Sequence, residues 1–449
     1  MNLLNKSNRP MHLGPYPLEK IKRVDQPTTL IIEEEVKRIP KRADGFERAL
    51  LGDYGKHQKK RRERSGGARG SGNMRPAPMM GAIRDTLLYL SKVQDGEVAP
   101  ETAPIPNDPE ARAQNIKSLC YFLKADQVGI CEAKPYSWYS HQKDGTPIEP
   151  YHKNAIVILI DHGYGNADGA SGDDWAPGPM LSYMRGVEIC NIVASYIRNL
   201  GFSARAHSSV DSDVMQTPLV LLAGLGEMSR IGELVLNPFL GPRFKCAVIT
   251  TDMELTTDKP IDFGLQDFCS KCQKCARECP VSAIPYGPKV MYNGYETWKQ
   301  DVANCTSYRV TNSGGHGCGR CLVVCPWNKS DLVSHRIARW AAIHQPWSRR
   351  SLIKLDDTLG FGNRNPVKKW WFDLTIEDGK VVKPIKTNER DINPEKQKPA
   401  KHRVALYTPE MLPTANDQDV FPYDRAAGFK ATENMETPEA ARQRNNVPK

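Results

Sequence analysis

The chain lacks any apolar run near the roughly 20 residues that a membrane-spanning helix needs. Its first 72 residues also lack a signal peptide: Arg61-Arg62 is a twin arginine, but no hydrophobic segment follows it. A cytoplasmic protein with no membrane span is therefore expected. No internal repeat is visible beyond two cysteine runs, and no helical repeat array is recognisable near the C-terminus. Acidic residues are in modest deficit, 52 against 62 basic, for a net charge of +10. Part of that excess sits in Lys56-His-Gln-Lys59-Lys60-Arg61-Arg62-Glu-Arg64, which runs into the Gly/Ser-rich Ser65–Gly72. Such a stretch reads as a solvated linker or arm. Binding to an acidic partner or nucleic acid is its sharper alternative, and no nucleic acid is expected here.

Cysteine is present in quantity and is concentrated. Eight of the twelve lie between Cys269 and Cys325. The first run is Cys269-Ser-Lys-Cys272-Gln-Lys-Cys275-Ala-Arg-Glu-Cys279-Pro280; the second is Cys305, then Cys318-Gly-Arg-Cys321-Leu-Val-Val-Cys325-Pro326. Two-residue gaps let one loop wrap three thiolates round a 4Fe–4S cube, and the fourth cysteine, before proline, ligates the other cube. Cys269, Cys272, Cys275 and Cys325 are accordingly assigned to a first cluster. Cys279, Cys305, Cys318 and Cys321 are assigned to a second. Tetrahedral zinc and a disulfide framework compete, but the C-x2-C-x2-C-x3-C-P run is far more specific than a lone C-x-x-C. The remaining Cys120, Cys131, Cys190 and Cys246 sit singly in apolar settings and read as small buried hydrophobes.

At 449 residues, two or three packed units are expected. Residues 1–110 read as an N-terminal arm and first helices, with Met80–Val93 helical. Ala111–Asp126 carries a helical stripe of Ile116, Leu119 and Leu123. Ala155–Ile160 reads as a buried strand, Gly163–Gly172 as a loop, and Pro179–Leu200 as a long helix capped by Gly201. Pro218–Gly226 is apolar, and Cys246–Thr250 is a second strand. Residues 111–261 form the body, 262–330 the cluster module, and 331–449 a C-terminal helix with a wrapping tail. One short helix is expected in Val290–Asn304. Another is expected in Asp331–His344, with Ser330 as N-cap. The fold class is α+β. A bare two-cluster carrier needs far fewer residues, so the bulk implies a catalytic chamber holding another cofactor.

Four stretches together resemble the corrinoid-dependent reductive dehalogenases: Ala223-Gly-Leu-Gly226-Glu-Met-Ser229-Arg230, Gly241-Pro-Arg-Phe-Lys245, and the two cysteine runs, the second ending Cys325-Pro-Trp327-Asn328-Lys329. The likeness covers roughly residues 110–375. It implies a nitroreductase-like core holding base-off cobalamin beside the first cluster, with the ferredoxin-like module inserted. The D-x-H-x-x-G signature of other corrinoid proteins is absent, because His162 follows Asp161 directly; this family uses no histidine ligand to cobalt. His162 is thus expected to be a loop residue rather than a ligand.

By the same resemblance, Tyr183 and Lys245 are the catalytic pair and Arg309 grips a substrate carboxylate. Lysine in the Gly-Pro-Arg-x-Lys turn resembles the non-respiratory branch acting on halogenated phenols and hydroxybenzoates. A positioned tyrosine can serve as general acid, and a neighbouring ammonium favours the tyrosinate it leaves. Gly226, Ser229 and Arg230 are assigned to cobalamin, their turn offering N–H groups to its phosphate. Trp327, Trp370 and Trp371 either line the chamber or belong to the core. No flavin or nicotinamide motif is recognisable, so an external ferredoxin or flavin reductase, or a fused one, is expected to deliver electrons. Two rivals stand beside this reading. One is an epoxyqueuosine reductase acting on tRNA. The other is a non-catalytic two-cluster electron-transfer subunit, which predicts no cobalt.

Overall fold

The computed structural model describes residues 9–56, 77–169, 177–311, 318–368, 375–382, 392–396, 398–399 and 401–446. Most of the basic run, the Gly/Ser stretch, residues 170–172, Trp370 and Trp371 lie outside the described residues.

The centre is a four-stranded antiparallel sheet of β1 (Gln127–Glu132), β2 (Asn154–Asp161), β3 (Ala204–His207) and β4 (Phe244–Thr251), in the order β1-β2-β4-β3. Strand β1 was not anticipated: Gln127-Val-Gly-Ile-Cys-Glu is short and follows the Ala111–Asp126 helical stripe without a strong breaker. Strand β2 is apolar on both faces, and the period of two divides its burden. Ile156, Ile158 and Ile160 pack with Ile116, Ile189 and Val193; Ala155, Val157 and Leu159 pack with Leu219, Val235 and residues of the cluster module. A run buried on two sides is what a central strand requires.

Helix α1 (Gly45–Leu51) starts where Asp44 accepts from the Phe46 and Glu47 amides. Helix α2 (Pro109–Phe122) begins the same way, at Asp108 with proline in its first turn. Helix α3 (Pro177–Asn199) crosses the first face of the sheet. Gly201, at φ +89°, ends it, as its position predicted.

Three local expectations are corrected. Tyr164–Gly169 is a short helix, not a loop. Val290–Asn304 holds a hairpin, Val290–Tyr292 with Tyr295–Thr297, before helix α4 (Val302–Thr311) begins. Asn293-Gly294, both at positive φ, make that turn. Helix α5 spans Val333–His344 with Leu332 at its N-cap and no side-chain cap; Ser330 Oγ instead meets His335 Nδ1 at 3.3 Å. Helix α6 (Arg349–Thr358) packs beside it.

The terminal segments are bound into the body. Lys22–Arg23 pairs with Ile261–Asp262, and the helix Pro438–Arg444 lies against the hairpin. No helix among the described residues is long and apolar enough to cross a membrane.

Candidate active site

Strand pairing positions the first functional group. Lys245, the second residue of β4, lies opposite Ile160 near the end of β2. The turn before it needs Gly241, at φ +62°, because a Cβ there would meet the Trp327 carbonyl. Arg243 ties the turn down. It forms a two-toothed pair with Asp161 (2.7 and 3.0 Å) and donates to Asn328 Oδ1 at 2.8 Å. One guanidinium therefore joins β2, the turn and the cluster module.

Helix α3 brings the second group. Ser182 Oγ donates to the Asp161 carbonyl at 2.9 Å, which sets the rotation of the helix's first turns. The next residue, Tyr183, then lies with the Lys245 Nζ 4.8 Å from its ring centroid. That is cation–π range. His162, buried beneath, is held well below the ordinary imidazole range by burial and by the charges of Lys245 and Arg243. A neutral imidazole adds no further positive charge there.

Tyr139 links this pair to the N-terminal segment. Burial pushes its phenol up, and Asp44 and Tyr183 act on it in the same direction. Beside Asp44, Phe46 carries the Arg309 guanidinium at 4.5 Å from its ring centroid. Arg309 stands on α4 one turn from Cys305, and its charge reaches Cys305 and Cys321. The expected catalytic residues thus come from three separate elements, with Phe46 and Tyr139 between them. Neither aromatic was anticipated: Phe46 lies in the stretch read as an N-terminal arm, and no motif marks Tyr139.

A cleft of about 310 Å³, open at its mouth, adjoins Tyr139. That is the size of a small-molecule site. Its wall includes Met228, Val302, Ala303, Lys299 and Tyr407. The hydroxyls of Tyr295, Thr297 and Tyr407 are buried there without a hydrogen-bond partner among described groups. Buried hydroxyls are rarely left unmade, so this wall fits a large ligand bearing polar side groups. Lys299 is buried, and desolvation depresses its ammonium to about 7, although Glu233 pairs with it. Glu233 is half exposed, and solvent screens its pull. The cleft reaches the first cysteine quartet's side at Met228, while Val302 and Ala303 belong to the helix of Cys305. The corrinoid expected beside the first cluster would therefore meet the second cluster's helix as well.

Cys269, Cys272, Cys275 and Cys325 line one small cavity. Cys279, Cys305, Cys318 and Cys321 act on one another electrostatically as a second group. Among the described residues no three His, Cys, Asp or Glu converge tightly enough for a single metal ion. Thiols round a void suit a cube better than zinc. Burial pushes the Cys275 and Cys321 thiols well above their ordinary range. Ligation requires thiolates, so filling the sites releases protons.

Gly226, Ser229 and Arg230, expected at cobalamin, lie beside the first quartet. A Cβ at Gly226 would strike the Leu236 carbonyl, so this glycine serves the pairing of Glu227–Met228 with Val235–Leu236. Ser229 Oγ donates to Leu234 O at 2.7 Å. Arg230 donates to the Cys269, Pro285 and Gly287 carbonyls and stacks 4.6 Å from the Trp298 ring centroid. Both side chains are bonded within the protein beside the first quartet, so any contact of this turn with cobalamin falls to its backbone N–H groups. Trp327 packs edge-on against Phe263 and Phe268 in that same wall.

Residues 268–328 match the 4Fe-4S double cluster binding domain. A catabolic reductive dehalogenase, NpRdhA, solved in complex with 3-bromo-4-hydroxybenzoic acid, superposes with a TM-score of 0.92 at 44% identity. The match covers 98% of this chain and 64% of that one. The chain is a relative of the reductive dehalogenases. Another solved reductive dehalogenase, described as B12-dependent, matches equally well, at 44% identity over 98% of this chain and 63% of its own (TM-score 0.92). A tetrachloroethene reductive dehalogenase of Desulfitobacterium hafniense is 36% identical over 217 residues, 46% of this chain and 37% of that protein. The chain thus spans less than two thirds of these relatives. Epoxyqueuosine reductase of Salmonella typhimurium is more distant, 25% identical over 306 residues, 56% of this chain and 76% of that enzyme.

Proposed function

We propose that this protein is a reductive dehalogenase replacing carbon–halogen by carbon–hydrogen on a halogenated phenol or hydroxybenzoate. The observation that carries the reading is the Lys245 ammonium over the Tyr183 ring beside a cleft bounded by the cluster helix. Base-off cobalamin in a nitroreductase-like core would be the cofactor, and Met228, Val302 and the hydroxyls of Tyr295, Thr297 and Tyr407 would hold it. Its chemistry, when bound, is low-potential electron delivery to the carbon–halogen bond. Cys269, Cys272, Cys275 and Cys325 would hold the first cluster and Cys279, Cys305, Cys318 and Cys321 the second, which would supply one-electron transfer.

The reaction consumes two electrons and one proton and releases halide. Tyr183 holds the proton at its phenol oxygen and passes it to the ring carbon. Lys245 favours the tyrosinate that remains. The same ammonium attracts a substrate phenolate. Arg309, laid on Phe46, receives the carboxylate of a hydroxybenzoate, for which its fork is suited. A ferredoxin or flavin reductase supplies electrons, and the cytoplasm, a reducing compartment, is the expected location.

The test is metal content and turnover of protein made anaerobically with cobalamin supplied. The expected result is about eight irons and about one cobalt per chain, with bromide released from 3-bromo-4-hydroxybenzoate under titanium(III) citrate. Iron without cobalt would instead mark an electron-transfer subunit.

A further inference from the structure

Arg230 is 3% exposed, and a guanidinium does not shed its charge in a protein. A buried charge is costly unless an anion faces it. Among the described residues Arg230 forms no ion pair. Its Nε donates to the Cys269 carbonyl at 2.9 Å, and its Nη1 to the Pro285 and Gly287 carbonyls at 2.9 and 3.1 Å. Nη2 donates to no described group. The Trp298 ring supports the guanidinium at 4.6 Å. Three carbonyls and a ring hold the group in place, and none of them neutralises it.

Arg230 lines the cavity of Cys269, Cys272, Cys275 and Cys325. The negative charge that reaches it comes from Cys275, Cys269 and Cys272, all of the first quartet. Other charges at this quartet are already matched. Lys274 and Lys329 share Asp356 at 2.6 Å each, and Lys274 also meets Asp357 at 3.0 Å. Glu227, whose charge reaches Cys269, accepts from the Phe263 and Leu265 amides, from Thr28 and from Gln266. Arg230 is the cation left without a carboxylate. Thiolates round a 4Fe–4S cube supply the missing negative charge, and the net charge about a cube helps set its potential. A fixed cation favours the reduced cube, which is one charge more negative.

We propose that Arg230 is the counter-ion of the first cluster, raising that cluster's reduction potential and leaving the second cluster's alone. Each electron leaves a one-electron donor of the ferredoxin class and comes to rest on the first cluster without a proton. The cube gains one negative charge, which the guanidinium offsets. The bias favours electrons on the cluster beside the proposed cobalamin. The inference rests on the two-cluster reading of the cysteines and not on the halogenated substrate.

The test is an anaerobic potentiometric titration of the cluster- and cobalamin-loaded protein, followed by electron paramagnetic resonance. Wild type is compared with Arg230→Gln, which keeps a donor and loses the charge, and Arg230→Lys, which keeps the charge. Wild type is expected to show two one-electron cluster steps. In Arg230→Gln one step should move to lower potential, its reduced-to-oxidised ratio at the wild-type midpoint falling about tenfold, equivalent to about 59 mV for one electron. The other step should stay, and Arg230→Lys should hold both near wild type. A merely structural role would move both variants alike. Unmoved steps in Arg230→Gln would overturn the proposal, as would equal shifts of both steps or of both variants. Where Arg230→Gln binds too little iron to titrate, iron content decides. Loss in Arg230→Gln with about eight irons kept in Arg230→Lys supports the counter-ion. Equal loss in both means that the carbonyl anchors matter and the charge does not. Wild type without iron would refute the cluster reading and this proposal with it. Bromide release under titanium(III) citrate is measured separately. Its absence from wild type, with the Arg230→Gln shift present, would refute the dehalogenase reading and leave the counter-ion standing.

Discussion

At the scale of single residues, chemistry was legible wherever spacing encodes geometry. The cysteine gaps define two groups of four, and the structure brings the same two groups together. Tyr183 and Lys245, 62 positions apart in sequence, meet at 4.8 Å. Tyr183→Phe is expected to lower turnover by roughly 10²–10⁴ while iron and cobalt content stay at wild-type levels. Undiminished turnover would move the proton donor elsewhere. Lys299 offers a test without activity. Its folded ammonium titrates at about 7, whereas an unfolded lysine titrates near about 10.4. Below the lower value the buried charge weighs fully against folding. As pH rises between the two, the folded state sheds a proton that the unfolded chain keeps, so stability rises. The urea midpoint of protein without cofactors should therefore climb from roughly pH 6.5 to 9, and Lys299→Met should flatten that climb. Equal slopes would mean that the Glu233 partner governs. Gly226, Ser229 and Arg230 show where one set of residues serves two readings. A glycine turn offers amides to a phosphate, or accommodates a neighbouring strand, with the same letters.

At the scale of elements, periodicity located the central strands and the long helix, because burial on one or two faces leaves a pattern. It failed where pattern is short: β1 is six residues, and the 290–297 hairpin is three and three. Helix α3 matters most for the site, since it sets Tyr183 against β4. Its approach depends on Gly186, where a Cβ would stand 3.0 Å from the Ala247 Cβ. A larger side chain would force helix and strand apart one turn from Tyr183. Gly186→Val should destabilise by about 1–3 kcal/mol through overpacking, read as a lowered urea midpoint. It should also cut turnover, read as slower bromide release, while iron content stays at the wild-type level. An unaltered midpoint would show that the helix can shift freely.

At the scale of the whole molecule, the cleft is assembled from distant parts of the chain: Ile39 to Tyr54, Met215 to Pro218, Tyr292 to Ala303, and Ala405 to Leu412. No local pattern announces such a wall, which is why a proline-rich arm and a polar tail read only as wrapping. What holds the two ends together is a buried charge cluster. Arg42 grips Asp53 with two hydrogen bonds of 2.9 Å each and donates to the Asp417 and Asp419 carbonyls. Arg48 shares Asp53, which also accepts from the Phe421 amide. Arg42 and Asp53 are almost wholly buried, 1% and 3% exposed. Removing one partner of such a pair leaves an uncompensated charge, at about 3–5 kcal/mol. Arg42→Met should therefore loosen residues 405–421 first, because they lose two carbonyl anchors and a settled Asp53. Trypsin should then cut the C-terminal segment faster than in wild type. If that segment closes the cleft on cobalamin, cobalt should wash out on gel filtration while iron, held by the cysteine module, remains. Cobalt and iron lost in equal proportion would mean global unfolding instead. Both retained, with unchanged trypsin cleavage, would mean that the tail is anchored by its packing on Tyr54 and Tyr292 rather than by this charge cluster.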